Sequence, residues 1–181
     1  MSIQIVDLAA QALELRTQAA AILAEAFPQE NGWPTIELGL AEIDWVARDG
    51  FVRAAVGDGR VLGWVGGLPE YRGRVWELHP IVVDRTRRLS GIGRTLVAAF
   101  EDEARGRGGL TATLGTDDEF DMTSLSGVDL YRDVPGQIAA LRDLGRRHPF
   151  LFYRKLGYVV TGLMPDANGR GRPDIYMSKA L

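Results

Sequence analysis

Apolar positions along this chain repeat with two different spacings, and each change of spacing marks the boundary of a predicted element. Alternating apolar and polar residues predict strands over residues 2–6, 51–56, 60–68, 74–83, 110–115, 158–163 and 173–180. Apolar residues three and four apart predict helices over residues 8–27, 35–46, 91–105, 133–144 and 148–157. The first two helices form a pair that we interpret as a candidate lid.

Turn-forming residues separate these elements. Pro28 ends the first helix, and Gly57-Asp58-Gly59 predicts a tight hairpin because glycine supplies the positive φ angle that such turns need. Asp133, followed by Pro135, has the pattern of a helix cap with proline in the first turn. Gly157 suits the left-handed position at a helix end.

Composition limits the classes of protein. With 181 residues, 46% apolar and 25% charged, the chain suits one well-buried globular domain, which we expect to span residues 1–181. The formal net charge of −3 argues against a nucleic-acid binder, so any basic site must be local. Cysteine is absent, which excludes disulfides and a thiol nucleophile. No segment reaches the ~20 apolar residues of a membrane span, and the N-terminus lacks the order of a signal peptide, so we expect a cytoplasmic protein.

The stretch from Trp76 to Arg94 has the pattern of an apolar strand, a basic glycine loop (Arg88-Leu-Ser-Gly-Ile-Gly93) and the start of an amphipathic helix, joined without a spacer. A helix N-terminus preceded by glycine-rich backbone presents unpaired N–H groups to one point, and Arg87, Arg88 and Arg94 add positive charge around it. This pattern predicts a polyphosphate site. The alternative is an ordinary turn before a helix with solvated arginines. Neither the nucleoside triphosphatase loop nor the dinucleotide fingerprint matches.

The strand before this loop places Glu77, His79 and Ile81 on one face. Pro80 cannot donate to a sheet ladder, so it predicts a sheet edge, a bulge or a local parting of strands. Backbone groups freed there suit an extended, amide-bearing ligand. We interpret Glu77 as a candidate acid that accepts a proton from an amine. The alternatives are a solvated or ion-paired Glu77 and a structural His79.

An acidic loop follows the strand that ends at residue 115. Asp117, Asp118, Glu119 and Asp121 repel one another, and a polycationic acceptor would relieve that repulsion. A solvated loop is the alternative. Of the aromatic residues Trp33, Trp45, Trp64 and Tyr71, each of which alone is typical of a core, we retain Trp33 and Tyr71 as acceptor candidates.

Together these residues resemble the GNAT superfamily of acetyl-CoA-dependent N-acetyltransferases, whose Arg/Gln-x-x-Gly-x-Gly/Ala signature matches at Arg88, Gly91 and Gly93. From about Trp64 onward the chain is similar to one bacterial group, the aminoglycoside 6′-N-acetyltransferases of the enterococcal chromosomal type. The segments that carry this likeness include Trp76-Glu-Leu-His-Pro, Arg107-Gly-Gly-Leu-Thr, Leu114-Gly-Thr-Asp-Asp118, Lys155-Leu-Gly-Tyr158 and Pro165-Asp-Ala-Asn-Gly169.

The resemblance implies an α/β (α+β) fold with a mixed, mostly antiparallel central sheet of six to seven strands flanked by helices. It implies acetyl-CoA as cosubstrate, no metal, a homodimer, and acetyl transfer to the 6′-amine of an aminoglycoside, the chemistry of antibiotic resistance. A polyamine, peptide N-terminus or lysine as acceptor, and a CoA-binding regulatory module without turnover, are the alternatives. Without cysteine, direct attack of the amine on the thioester is the simpler route.

The resemblance also assigns roles to residues. Glu77 stands near the acceptor amine, main chain around His79 and Ile81 polarises the thioester carbonyl, and Tyr153 donates a proton or hydrogen bond to the departing thiolate. The expected cofactor-binding residues are Ile81, Val82, Val83, Arg88, Leu89, Ser90, Gly91, Ile92, Gly93, Arg94, Thr95, Tyr153 and Lys155. The expected acceptor-binding residues are Glu77, Asp117, Asp118, Trp33 and Tyr71.

Overall fold

A computed structural model describes residues 2–181 and divides them into two compact units. The first unit extends to Ala112 and includes Leu181, and the second is Thr113–Ala180. A single domain over the whole chain stays a prediction.

Four antiparallel strands form the sheet of the first unit, in the order β1 (Gln4–Asp7), β2 (Phe51–Gly57), β3 (Arg60–Glu70) and β4 (Val75–Val83). Asp58 and Gly59 connect β2 to β3 with φ angles of 50° and 73°. The hairpin predicted at this position is therefore confirmed.

Three helices pack against this sheet: α1 (Leu13–Ala26), α2 (Ile36–Asp49) and α3 (Ile92–Gly106). The Thr35 side chain caps α2 by accepting a hydrogen bond from the Leu38 N–H. The helix predicted from residue 8 begins only at Leu13, because the Leu8 N–H donates to the Val52 carbonyl and continues the pairing of β1 with β2. Long-range pairing here prevails over local helical spacing.

Consecutive residues of β2 face opposite layers. Val52 packs in the core formed with α1 and α2, together with Leu23, Ile43 and Trp64. Phe51 lies 5.7 Å from Phe100 of α3, measured between ring centroids. The sheet of the first unit therefore lies between α1 and α2 on one face and α3 on the other.

The second unit contains β5 (Thr111–Asp117, whose first residues belong to the first unit), α4 (Val134–Ala139), α5 (Phe150–Lys155), β6 (Val159–Met164) and β7 (Asp174–Ala180). Strand β7 pairs antiparallel with β6, and the strand order is β5-β7-β6. Helix α4 ends five residues earlier than the predicted 144. The reason is that the Arg142 N–H donates to the Ser124 hydroxyl oxygen and the Leu144 N–H donates to the Met122 carbonyl.

Over residues 2–181 the structure has seven strands and five α-helices. The fold class predicted by the resemblance, a mixed and mostly antiparallel sheet with flanking helices, is confirmed. None of the helices in this range combines the length and the apolar composition needed to cross a bilayer.

Candidate active site

The loop between β4 and α3 leaves backbone donors free at the start of a helix. Asp84 shapes it by accepting from the Thr86 N–H at 2.7 Å and from the Thr86 hydroxyl at 2.6 Å. Leu89 and Gly91 have φ angles of 64° and 93°. The first backbone bond of α3 runs from the Thr95 N–H to the Gly91 carbonyl at 3.1 Å. The N–H groups of residues 92–94 therefore have no acceptor within the helix.

Positive charge surrounds these donors. Arg87, Arg88 and Arg94 are exposed, and within residues 2–181 none of them forms a salt bridge. The first turn of α3, residues 92–95, contains no acidic residue. Guanidinium groups near a helix N-terminus favour binding of a polyanion. The loop thus combines free backbone donors with exposed arginines, and a polyphosphate site here stays a prediction.

Strand β4 exposes a polar face next to a distorted stretch of sheet. Glu77, His79 and Ile81 are half-buried and alternate with buried neighbours. The pairing with β3 shifts register between Val65 and Gly67, across from the cis peptide bond that joins His79 to Pro80. The irregularity predicted at Pro80 therefore lies in the pairing of β4 with β3.

The Glu77 carboxyl is suited to accept a proton. Burial raises its pKa, the positive charge that His79 can carry opposes this shift, and the nearby carboxylate of Glu70 raises the pKa further. A carboxylate with a raised pKa is a stronger base than one in water. The environment of Glu77 thus favours the role predicted for it.

A cluster beside Glu77 joins α2 and the preceding loop to β4. The Glu42 carboxylate accepts a hydrogen bond from Trp33 Nε1 at 2.9 Å and lies 3.2 Å from His79 Nε2. The Trp33 and Trp45 rings lie 5.9 and 6.1 Å from the His79 ring, centroid to centroid. The sequence singles out Trp33 and His79 but not Glu42. The only local signal for Glu42 is that it lies three residues before Trp45, which places the two side chains next to each other on a helix.

Tyr71 and Trp64, two further aromatic residues, have different positions. Tyr71 is 76% exposed, has a φ angle of 46° and begins a short 3-10 helix, Tyr71–Gly73, between β3 and β4. Its ring is therefore free to meet a ligand. Trp64 is fully buried and its Nε1–H donates to the Ala19 carbonyl at 3.0 Å, so it belongs to the core.

In the second unit, Tyr153 is 6% exposed and packs against the rings of Phe152 and Tyr158. Burial raises the pKa of the Tyr153 hydroxyl strongly. The raised pKa keeps this hydroxyl protonated, so it can act as a hydrogen-bond donor. Lys155 is exposed in the last turn of α5.

The two acidic acceptor candidates differ in exposure. Asp117 is exposed and accepts from Asn168 Nδ2 at 2.6 Å. Asp118 is fully buried, and its carboxylate accepts from the Met122 N–H, the Thr123 N–H and hydroxyl, and the Ser126 hydroxyl. These bonds favour a structural role for Asp118, so the predicted acceptor contact is better supplied by Asp117.

His148, which the sequence suggests only as a helix start, connects β5 to α5. Its Nδ1 accepts from the Phe150 N–H at 3.2 Å, so its Nε2–H donates to the Asp117 carbonyl at 3.1 Å. Burial lowers the pKa of His148, partly opposed by this carbonyl and nearby carboxylates. A neutral imidazole therefore ties Asp117 to the start of the helix that carries Tyr153.

Comparison with known proteins gives consistent results. A model of the acetyltransferase (GNAT) family matches residues 16–132. An aminoglycoside 6′-N-acetyltransferase solved with coenzyme A is 37% identical, with a TM-score of 0.90 and coverage of 98% of this chain and 96% of that one. The aminoglycoside 6′-N-acetyltransferase from Enterococcus faecium is 38% identical, with a TM-score of 0.87 and coverage of 99% and 97%. An aminoglycoside 6′-acetyltransferase type Ii is 32% identical, with a TM-score of 0.75 and coverage of 99% and 97%. No curated protein matches the sequence.

Proposed function

The chain belongs to the acetyltransferase (GNAT) family, and from this premise we propose that it transfers the acetyl group of acetyl-CoA directly to the 6′-amine of an aminoglycoside. The observation that carries the proposal is the near full-length similarity, at 37% and 38% identity, to two enzymes that act on aminoglycosides at this position. Two features support it independently. Burial raises the pKa of the Glu77 carboxyl, which suits it to accept a proton from an amine, and the loop before α3 leaves backbone N–H groups free for an anion.

The residues present fit the cosubstrate. Acetyl-CoA supplies a thioester-activated acetyl group and carries phosphates and amides along its length. The unpaired N–H groups of residues 92–94 and the guanidinium groups of Arg88 and Arg94 would hold the pyrophosphate. Backbone groups of residues 81–83 would pair with the amides of its arm. Leu89, Ser90 and Thr95 complete the loop and the first helical turn around the phosphates.

Glu77 would take the proton of the acceptor amine, directly or through one water molecule, because burial raises its basicity. Main-chain N–H groups around His79 and Ile81 would stabilise the oxyanion that forms when the amine attacks the thioester. Tyr153 would donate a hydrogen bond to the sulfur as the carbon–sulfur bond breaks. Its raised pKa keeps the hydroxyl protonated, which favours hydrogen bonding over complete proton transfer.

A polycationic acceptor suits the acidic and aromatic residues that the structure leaves accessible. Glu77 and Asp117 would attract its ammonium groups, and the rings of Trp33 and Tyr71 would contact its sugar faces. Acetylation replaces a charged amine with a neutral amide, so resistance of a host cell to the antibiotic is the expected consequence. The homodimer implied by the resemblance is part of this proposal, and sedimentation equilibrium tests it.

The experiment is release of CoA thiol from acetyl-CoA in the presence of single amines. We expect turnover with kanamycin and tobramycin, and none above background with spermidine, a histone-like peptide or lysine. If only the polyamine or only the peptide is acetylated, that amine and not an aminoglycoside is the acceptor. Binding of CoA in a calorimeter without acetylation of any amine would favour a regulatory module instead.

A further inference from the structure

Glu42 connects α2 to β4 through two aromatic ring systems. Its side chain is only 12% exposed. One carboxylate oxygen accepts from Trp33 Nε1 at 2.9 Å, and the other lies 3.2 Å from His79 Nε2. Because a carboxylate can only accept, His79 Nε2 carries a proton and donates it to Glu42. Two rings from separate segments are thus held by one side chain.

The same helix supplies a second contact to the imidazole. Trp45 lies three residues after Glu42, and its ring meets the His79 ring edge-on, at 6.1 Å and 75°. Trp33 flanks His79 with a centroid distance of 5.9 Å. The two indole rings limit rotation of the His79 ring, and the bond to Glu42 fixes the position of Nε2.

We propose that Glu42 is a positioning residue for acetyl transfer, which fixes the His79 imidazole and the Trp33 indole and thereby shapes the acceptor-facing wall beside Glu77. The inference rests on the proposed function, because only that function assigns this wall to an acceptor. Glu77 and His79 lie two residues apart on the same face of β4. A displaced ring therefore changes the space and charge next to Glu77, and small misplacements of reacting groups lower rates by up to about 10²-fold.

Packing alone would not need a carboxylate at this position. Buried charged groups are often no more stabilising than apolar side chains of similar volume. Two ring N–H groups in one orientation, by contrast, require two acceptor atoms at defined positions, which the carboxylate supplies.

The first test is spectroscopic and needs no substrate. The chain contains two histidines, so in a ¹⁵N-labelled sample the ring protons of His79 and His148 can be distinguished. We expect a protected His79 Nε2–H resonance that disappears in Glu42→Ala, while the His148 resonance, whose proton goes to the Asp117 carbonyl, remains. Persistence of the His79 resonance in Glu42→Ala would overturn the proposal, whatever the protein acetylates.

The second test is kinetic. Glu42→Ala is expected to lower kcat/KM for the aminoglycoside about tenfold, with KM for acetyl-CoA unchanged. Asp44→Ala is the matched control, because Asp44 lies on the same helix, is 66% exposed and pairs with Arg16 rather than with β4. In a cycle with His79→Ala, the two effects should be strongly non-additive. Equal kinetics for Glu42→Ala and Asp44→Ala, or full additivity with His79→Ala, would refute the positioning role.

A third variant covers the case in which Glu42→Ala does not fold. Glu42→Gln keeps the size of the side chain but offers one acceptor oxygen in place of two. The Glu42→Gln variant should lose the protected ring proton of either His79 or Trp33. The Trp33 resonance is identified by its absence from the spectrum of Trp33→Phe. Retention of both protected protons would contradict the proposal. If no amine is acetylated by the wild type, the proposed function fails, but these resonances still decide whether Glu42 orients the rings.

Discussion

The α-carbon of Gly66 faces the carbonyl oxygen of His79 so closely that a Cβ atom at position 66 would lie 2.3 Å from that oxygen. The same Cβ would lie 2.6 Å from Val46 Cγ1 of α2. Gly66 occupies the register shift between β3 and β4. The absence of a side chain there allows α2, β3 and the His79 segment of β4 to meet.

Gly66→Ala should therefore damage both stability and activity. The clash is with backbone and cannot be relieved by a side-chain rotation, so we expect a loss of about 1–3 kcal/mol in the free energy of unfolding. We also expect a lower kcat/KM for the acceptor, because His79 and Pro80 must move. Denaturant unfolding and steady-state kinetics measure the two effects. Gly106→Ala is the control, since its added Cβ meets nothing within 4 Å and its φ angle is ordinary; equal behaviour of the two variants would contradict the close approach.

Glu77→Gln should remove the base without removing the shape. We expect kcat/KM to fall by about 10²-fold, the usual range for loss of a general base. In the wild type, activity should decline as pH falls through the raised pKa of Glu77, and this acidic limb should be missing from the variant. Rates that match the wild type across the pH range would exclude the base role.

The same variant should be more stable than the wild type at neutral pH. Because burial raises the pKa of Glu77 in the folded state, the stability associated with its neutral form is present below the ordinary carboxyl pKa and is lost as pH rises through the raised value. Glutamine stays neutral throughout. Thermal unfolding should show a higher Tm for Glu77→Gln at pH 7, with the difference shrinking on acidification; a lower Tm at pH 7 would show that the carboxylate is stabilised by partners.

Tyr153→Phe tests the hydrogen bond to the leaving thiolate. We expect kcat and kcat/KM to fall together, by about tenfold, because the interaction forms only as charge develops on sulfur. The raised pKa of Tyr153 keeps the phenol protonated, so its ionisation should produce no basic limb in the usable pH range. Tyr131→Phe, at a position that is 75% exposed, should leave the kinetics unchanged. An unaltered kcat in Tyr153→Phe would remove Tyr153 from the mechanism.

Asp118 and Asp117 should respond in opposite ways to substitution by asparagine. Asp118→Asn leaves buried donors without an acceptor and should destabilise the protein by about 1–3 kcal/mol. Burial alone would raise the pKa of Asp118, but the hydrogen bonds from Thr123, Met122 and Ser126 lower it overall. Its stabilising effect is thus present above the ordinary carboxyl pKa and is lost as pH falls through the lowered value.

Acid denaturation of the wild type and of Asp118→Asn measures the difference in their free energies of unfolding, which should vanish at low pH. Asp117→Asn should keep the stability and raise KM for the cationic acceptor, because Asp117 is exposed. An Asp118→Asn variant of full stability with a raised acceptor KM would reverse the two roles.

Local signals in the sequence were sufficient for most elements of the fold. Alternation along β4 correctly placed Glu77, His79 and Ile81 on one face, and the hairpin glycine next to Asp58 set the β2–β3 turn. The glycine loop was predictable because its donors and its arginines are contiguous in the chain. These features depend on backbone periodicity and turn chemistry alone.

Features set by distant contacts were not predictable. The contact of Glu42 with His79 depends on how α2 packs on the sheet, and the two residues are 37 positions apart. The early end of α4 depends on pairing of residues 142–144 with residues 122–124. The burial of Asp118 follows from the way its loop folds back around the carboxylate. In each case a single sequence shows the residue but not its partner.

The position of the acetyl group on the product tests the central claim most directly. Kanamycin should be incubated with the protein and acetyl-CoA, and the product examined by two-dimensional NMR, with an aminoglycoside that carries a hydroxyl at the 6′ carbon as the matched substrate. We predict one new N-acetyl group, on the 6′-nitrogen, and no product from the 6′-hydroxyl compound. Acetylation at another amine, equal turnover of both compounds, or recovery of unmodified kanamycin would contradict the account.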